Sequence, residues 1–443
     1  MNALSKRNLF VFATMCLIAV GLIAVFTKKS PYITGAYEFD NGQIITISPS
    51  QGNTHRYRNL DTGESQRLYP SKNLTYYSGP GWASDEPVEL VINFVTDSMG
   101  SATVVEWQQE GEPPRYAKKI ALREEYVKFS SGDISLHGKL VLPLGAGPFP
   151  AVVIVHGSGK DAATQVYYEP YLYAAHGIAC FVYDKRGTGD SDGKFTMDFY
   201  KLADDVLAAV DWLGQHDEID DERIGLAGYS QGGWVAPLAA SQSESIKFVL
   251  VGYGTAESPL QEDWWETLNA IQAAGYEDDD LEKAKEVISA VHALVASDLS
   301  EGWEHFNKLK KKYNDELWVD ELDAGMSGAF FQWPRGILTT IGKRFFPPEL
   351  IWDYNPIPIL DQLEIPMLWV LGRGDEEAPN DVTIAELENL SQQGKPIEVK
   401  IYPNADHGIV EFQVKDGERI YTGYPSDYFK YKVNWVLEQV GEQ

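Results

Sequence analysis

Cysteine is almost missing from this chain: two residues, Cys16 and Cys180, in 443. Cys16 lies in an apolar run near the N-terminus and Cys180 in the β-branched and aromatic run GIACFVY. A disulfide framework and a thiolate metal site are therefore both excluded, and stability must come from packing. Positive charge is also scarce. Lys+Arg 37 against Asp+Glu 65 leaves a net charge of −28, which repels phosphate backbones and excludes nucleic acid as a partner. The acidic runs HDEIDDE (216–222) and EDDDLE (277–282) lack the ligand spacing of a calcium loop, and no histidine pair has zinc spacing. They read as solvated faces, and neither a metal nor a cofactor is expected. No internal repeat is present. Long apolar runs are absent but for one, Leu9 to Phe26, with Lys6 and Arg7 before it and Lys28 and Lys29 after it. That length crosses a bilayer as a helix or serves as a signal-peptide core, so residues 1–30 read as a membrane anchor or signal peptide. The chain is accordingly expected to be exported. No clean cleavage site follows the run, which favours an anchored protein facing outside the cytoplasm (periplasm or cell surface) over a secreted one.

What is present is enough apolar residue, 44 % of the chain, to build two or three cores. Residues 31–121 carry short alternating runs separated by turn signals, among them DNG at 40–42 and DTG at 61–63, and read as a small all-β domain, sandwich or barrel. From Leu122 the pattern changes. A hairpin, EEYVKFSSGDISLHGKLVLP, is followed by β-branched runs alternating with helical stretches, which makes residues 122–443 α/β with a doubly wound, mostly parallel sheet. One helical stripe is explicit in Leu202, Val206, Ala209, Val210 and Leu213. At about 256–352 the alternation stops, and a helical, tryptophan-rich stretch reads as a cap inserted between sheet strands.

The chemistry centres on RIGLAGYSQGGW (223–234). A serine in Gly-x-Ser-x-Gly at a strand-to-helix turn is held in a strained conformation that projects its hydroxyl from the sheet, and the helix N-terminus beneath favours developing negative charge. A plain turn explains Gly228 to Gly232 nearly as well. The partners decide, because a serine hydroxyl needs a base and the base needs a carboxylate to fix its tautomer. After such a serine the acid and then the histidine follow, on loops at later strand ends. Only His292, His305 and His407 lie beyond Ser230, and the first two fall in cap helices. His407, in NADHG after the strand VKIYP, is the candidate base. Asp375, first off the strand in VLGRGDEEAP, is the candidate acid, with Glu376, Glu377 and Asp381 as competitors. Asp406 is adjacent to the histidine and cannot face it. The oxyanion needs two backbone donors: the N–H of Gln231, and that of Ser158 or Gly157 in the glycine-bearing loop VVIVHGSGK. His156 reads as a structural hydrogen-bonder there, and YDKRGTGDSDG (183–193) as a strand-end turn.

In that order the segments VVIVHGSG, VYDKRGTGDSDG, IGLAGYSQGGWVAPLAA, PMLWVLGRGDEEAP and YPNADHG resemble the α/β-hydrolase superfamily. In particular they resemble bacterial serine esterases related to dienelactone hydrolase and to the prolyl oligopeptidase catalytic domain. The resemblance runs from about Glu125 to the C-terminus. It implies Ser230 as nucleophile, Asp375 as acid, His407 as base, and the Ser158 and Gln231 amides as oxyanion hole, with no metal. The expectation is an exported hydrolase cleaving carboxylic esters through an acyl-enzyme. The absence of propeller repeats upstream favours esters over peptides. A peptidase acting on short peptides, a thioesterase, and a catalytically silent envelope binding protein are the alternatives. The partner expected is a small-molecule ester or peptide, and no oligomeric state follows from the sequence.

Overall fold

Asp40 to Gly42 turn the chain back on itself: Gly42 takes a positive φ of 82°, and the Phe39 N–H closes the turn on the Gln43 carbonyl at 2.9 Å. Gly63 does the same at 78°. These turns belong to the first part of a computed structural model that describes residues 32–340, 349–378 and 380–441. Eight strands follow one another, each antiparallel to the last: β1 (Gly35–Phe39), β2 (Ile44–Pro49), β3 (His55–Asn59), β4 (Ser65–Pro70), β5 (Thr75–Ser78), β6 (Leu90–Thr96), β7 (Ala102–Gln109) and β8 (Arg115–Lys119). β8 pairs with β1, so the sheet closes into a barrel with no free edge. Alternation along the strands fills it. Trp107 stands edge-on to Tyr57 at 4.7 Å and to Phe39 at 5.7 Å, among Ile45, Ile47 and Ile92. Each such large side chain contributes about 1.5–3 kcal/mol on burial.

The second sheet has the order β16-β15-β14-β13-β11-β12-β10-β9. Its strands are β9 (Arg123–Ser131), β10 (Ile134–Leu142), β11 (Phe149–Val155), β12 (Ala179–Tyr183), β13 (Ile219–Tyr229), β14 (Ile246–Gly252), β15 (Met367–Gly372) and β16 (Ile397–Tyr402). β9 and β10 form the antiparallel hairpin read from the sequence, and the pairings from β12 through β16 are parallel. Parallel strands lie under helices on both faces, which is why Val152 to Val155 and Leu226 to Tyr229 are buried without alternation. Helix α1 (Phe199–Gly214) is capped by Asp198, whose carboxylate accepts the Tyr200 and Lys201 N–H groups. It buries the whole stripe Leu202, Val206, Ala209, Val210 and Leu213. Helix α2 (Gly232–Ala240) follows β13. The connection from β11 runs to β12 on one side and that from β13 to β14 on the other, which opens a crevice at the C-terminal ends of β11 and β13, where ligands of such sheets bind.

Between β14 and β15 the chain forms α3 (Pro259–Ala273), α4 (Asp278–Ala296), α5 (Trp303–Tyr313) and a 3-10 helix, Leu317–Ala324, followed by shorter turns. This insertion has its own core, with Trp303, Phe306, Trp318 and Phe330 packed on Val287 and Val291. Helices α6 (Asn380–Gln392) and α7 (Tyr428–Gln439) and the hairpin β17 (Glu411–Lys415) and β18 (Glu418–Gly423) lie beyond β15 in the chain. The segment after β18 rests on the barrel: the Tyr424 N–H donates to the Gly63 carbonyl at 2.9 Å. Arg58, 8 % exposed on β3, donates to the Tyr424 hydroxyl at 3.4 Å and to Ser48 Oγ at 3.0 Å, with its guanidinium 4.1 Å above the Tyr168 ring. Buried Lys432 on α7 and buried Glu169 share that layer.

Among the described residues no helix is long and apolar enough to cross a membrane. The Leu9 to Phe26 run, and with it the anchor or signal reading, lies outside the described residues.

Candidate active site

Ser230 is the first of the two residues that turn the chain from β13 into α2, and its φ is +52°, a left-handed conformation that a serine adopts only when its surroundings enforce it. The enforcement is visible. Its N–H donates to the Gly252 carbonyl at 3.0 Å, and its carbonyl accepts the Gly233 N–H at 2.7 Å. The glycines on either side have no alternative: a Cβ on Gly228 would stand 2.2 Å from the Gly232 carbonyl oxygen, and one on Gly232 would stand 2.3 Å from that of Val155. The sequence Gly-Tyr-Ser-Gln-Gly is thus a steric requirement of a sharp turn packed on β11.

His407, in the loop after β16, brings Nε2 to 3.2 Å from Ser230 Oγ. Its Nδ1 lies 2.9 Å from Asp375 Oδ2, in the loop after β15. Against a carboxylate Nδ1 must carry the proton, so in the neutral ring Nε2 is left to accept from the serine hydroxyl. Asp375 is 4 % exposed, and its other oxygen accepts the Glu377 and Ala378 N–H groups, both at 3.0 Å. Burial opposes protonation of His407. The hydrogen bond and charge of Asp375, with Glu377 and Glu262 beyond it, outweigh burial and push the imidazole up to about 9. Tyr253 packs edge-on against the ring at 5.1 Å.

The competing carboxylates are placed elsewhere. Glu376 pairs with Arg419 and Asp381 with Arg373, both at 2.6 Å. Glu377 approaches His407 Nε2 at 3.7 Å from the solvent side. Asp406 accepts the Val410 N–H in its own loop. Of the other two histidines, His292 faces Asp263 at 2.8 Å inside the helical insertion, and His305 is exposed on α5.

The proposed oxyanion donors separate on geometry. The Gly157 N–H donates to the Tyr167 hydroxyl at 3.1 Å, so it is spent, and Ser158 is the donor that the loop after β11 leaves free. Neither the Ser158 nor the Gln231 N–H has an acceptor among the described residues. Both residues line one cavity with Ser230. Gly157 is close behind, since a Cβ there would lie 4.0 Å from Ser230 Oγ. His156 corrects the expectation of a structural hydrogen-bonder: it is buried edge-on to Tyr183, and neither ring nitrogen has a partner among the described residues.

That cavity measures ≈ 450 Å³. Trp234, Trp333 and Trp352 supply apolar walls, and Glu262 and Glu266, one turn apart on α3, line it together with Glu377. Burial pushes the Glu262 carboxyl up to about 8 and that of Glu266 to about 7. The insertion's tryptophans therefore divide, Trp333 and Trp352 facing the cavity and Trp303 and Trp318 packing its core. These carboxylates had no legible signal in the sequence, because only the fold of α3 over the sheet turns them toward Ser230. Lys185 was also missed, in the turn after β12. Its ammonium is buried, 2.6 Å from the Gly157 carbonyl and 3.0 Å from Gln231 Oε1.

A parallel sheet with a serine at the sharp turn after a central strand, and a histidine and an aspartate at later strand ends, defines an α/β hydrolase of the serine type. The match with known families agrees. Residues 131–408 match the family described as X-Pro dipeptidyl-peptidase (S15 family), and the chain belongs to it. Esterase EstD of Thermotoga maritima is 24 % identical over 333 residues, 71 % of this chain and 70 % of that protein. The quorum-quenching protein AidA of Acinetobacter baumannii is 31 % identical over 126 residues, 28 % of this chain and 41 % of that protein. Among solved structures, the acylaminoacyl peptidase of Pyrococcus horikoshii aligns with a TM-score of 0.45 at 15 % identity, covering 90 % of this chain and 56 % of that one.

Proposed function

We propose that this protein is a carboxylic ester hydrolase that works through an acyl-enzyme on Ser230. The observation that carries this reading is the hydrogen-bonded row from Asp375 through His407 to Ser230, opening on the tryptophan-lined cavity. Ser230 Oγ attacks the acyl carbonyl while His407 Nε2 takes its proton, and Asp375 holds the ring and stabilises the imidazolium. The Ser158 and Gln231 N–H groups receive the oxyanion, each contributing about 3 kcal/mol to the transition state. His407 returns its proton to the leaving alkoxide, then activates the water that releases the acid. Trp234, Trp333 and Trp352 suit an apolar acyl group. The helical insertion serves as the cap over this cavity, residues 31–121 form a separate packing domain, and residues 1–30 hold the enzyme, exported, at the outer side of a membrane.

A second reading has its own support. Glu262, Glu266 and Glu377 line the same cavity and, ionised, would hold the ammonium of a free peptide N-terminus. A peptidase of this kind fits the family description. The two are separated by p-nitrophenyl esters of graded chain length, assayed beside X-Pro anilides with free and with acetylated amino ends. Ester turnover exceeding anilide turnover upholds the esterase reading. Activity confined to anilides with a free amine overturns it and leaves Ser230 as a peptidase nucleophile.

A further inference from the structure

Lys185 is among the largest fully buried side chains of the protein, 2 % exposed, and no carboxylate among the described residues pairs with it. A buried amine without a counter-charge costs stability unless its donors are well used. The two hydrogen bonds that use them are both to residues of the oxyanion site: the Gly157 carbonyl at 2.6 Å and Gln231 Oε1 at 3.0 Å. The Phe195 ring, 5.2 Å away, packs beside the amine. The Gln231 amide is held at its other end as well, with Nε2 3.2 Å from Met197 Sδ.

We infer that Lys185 is the positioning residue of the oxyanion hole, fixing the Gly157–Ser158 peptide so that the Ser158 N–H points into the cavity; this rests on the acyl-transfer reading above. The reason is the planarity of the peptide group. In a trans peptide the carbonyl of one residue and the N–H of the next point in opposite directions, so drawing the Gly157 carbonyl back onto Lys185 turns the Ser158 N–H toward Ser230. Gly157 has no Cβ to limit its own rotation. Without the lysine, a flip of this one peptide plane would aim a carbonyl oxygen at the developing oxyanion and replace attraction with repulsion. The Tyr167 hydroxyl already holds the Gly157 N–H, so the residue is pinned on both sides and only the 157–158 peptide is left to be set by Lys185. The second bond, to Gln231, ties the loop after β11 to the turn after β13 and keeps the two donors at a constant separation. Burial pushes the ammonium down to about 7, and in either protonation state the amine retains N–H donors for both acceptors.

The test is kinetic, in the full-length protein. Lys185→Met keeps the length and volume of the stem and removes the donors. Loss of an oxyanion donor lowers kcat about 10²–10³-fold, and with the peptide free to flip a fall of about 10²-fold is expected, with KM on a p-nitrophenyl ester within about threefold of wild type. Affinity for a trifluoromethyl ketone, whose hemiketal oxyanion occupies the same site, falls in parallel, and Lys185→Arg, which keeps donors and charge, recovers at least about a tenfold part of kcat. A purely structural lysine would lower the melting temperature without that parallel. An unchanged kcat in folded Lys185→Met, or a loss confined to KM, overturns the inference. Should Lys185→Met fail to fold, Gln231→Met removes one of the lysine's partners and keeps its own backbone N–H. A smaller fall in kcat tracking the ketone affinity upholds the inference, and an unchanged kcat overturns it. Stoichiometric labelling of wild type by a fluorophosphonate separates the two layers. If wild type takes no label, the acyl-transfer reading itself falls. If wild type is labelled and Lys185→Met turns over normally, only the role of Lys185 does.

Discussion

Removing a negative charge beside His407, the proposed base, should make this enzyme faster at neutral pH. In the acyl-transfer mechanism proposed above, His407 accepts the Ser230 proton only when neutral, and its pKa is raised to about 9, so kcat/KM on an uncharged ester should climb tenfold per pH unit between about 6 and 8 and level off above 9. Glu377 stands 3.7 Å from Nε2, on a side chain 66 % exposed, and its charge favours the imidazolium. In bulk water such a pair would be worth about 1 kcal/mol, and exposed pairs usually deliver about 0.2–1 kcal/mol. Glu377→Gln then lowers the His407 pKa by roughly 0.15–0.7 units at 1.36 kcal/mol per unit. The acid limb moves down by that amount, and kcat/KM at pH 7 rises about 1.4- to 5-fold while the alkaline plateau stays where it was. The assay is a pH series of kcat/KM at fixed ionic strength, repeated in about 0.5 M salt, where the gap between the two proteins should narrow. An acid limb that stays in place, or moves up, would refute the electrostatic account of His407.

Other perturbations have equally definite outcomes. Asp375→Asn loses the partner that keeps the proton on Nδ1, so kcat should fall about 10⁴-fold with the fold intact, and the acid limb of the residual activity should drop toward the ordinary histidine range. Gly232→Ala places a Cβ 2.3 Å from the Val155 carbonyl oxygen, a backbone atom that cannot step aside. It should cost about 1–3 kcal/mol or more, read as a lower urea midpoint, with loss of fluorophosphonate labelling. Arg58→Met leaves Ser48 Oγ and the Tyr424 hydroxyl without their donor and Glu169 with less compensation, so the urea midpoint should fall by the equivalent of about 1–3 kcal/mol while kcat per folded molecule is unchanged. An unaltered midpoint would mean that this layer contributes nothing to stability.

The site was legible where local sterics and chain order act alone. Gly228 and Gly232 declare a turn that only a missing Cβ permits, and His407 was the single histidine after Ser230 outside the helical stretch. The α/β alternation was legible because parallel strands are buried on both faces. What the sequence concealed is what tertiary packing decides. His156 looked like a hydrogen-bonder, yet its ring faces Tyr183. Gly157 and Ser158 were equivalent donors on paper, and a tyrosine ten residues on distinguishes them. Lys185 reads as one more charge in a turn rich in them, because nothing local says that its stem runs inward. Glu262 and Glu266 sit in a helix whose charged face is ordinarily solvent, and the fold of the insertion turns that face onto Ser230.

The contact between Arg58 and Tyr424 spans 366 positions of the chain, and this bears on the order in which a growing polypeptide can become active. All the pairings of the barrel lie within residues 35–119, so nothing synthesised later is needed to register them. Ser230 emerges midway, and its elbow is set by strands already made or soon to follow. The base arrives on one of the last loops, just ahead of the segment that seats against Gly63 and Arg58. A nascent chain stopped before that point carries Ser230 without His407. The histidine that faces Ser230 and the segment that docks on the barrel are thus delivered by one short stretch of sequence.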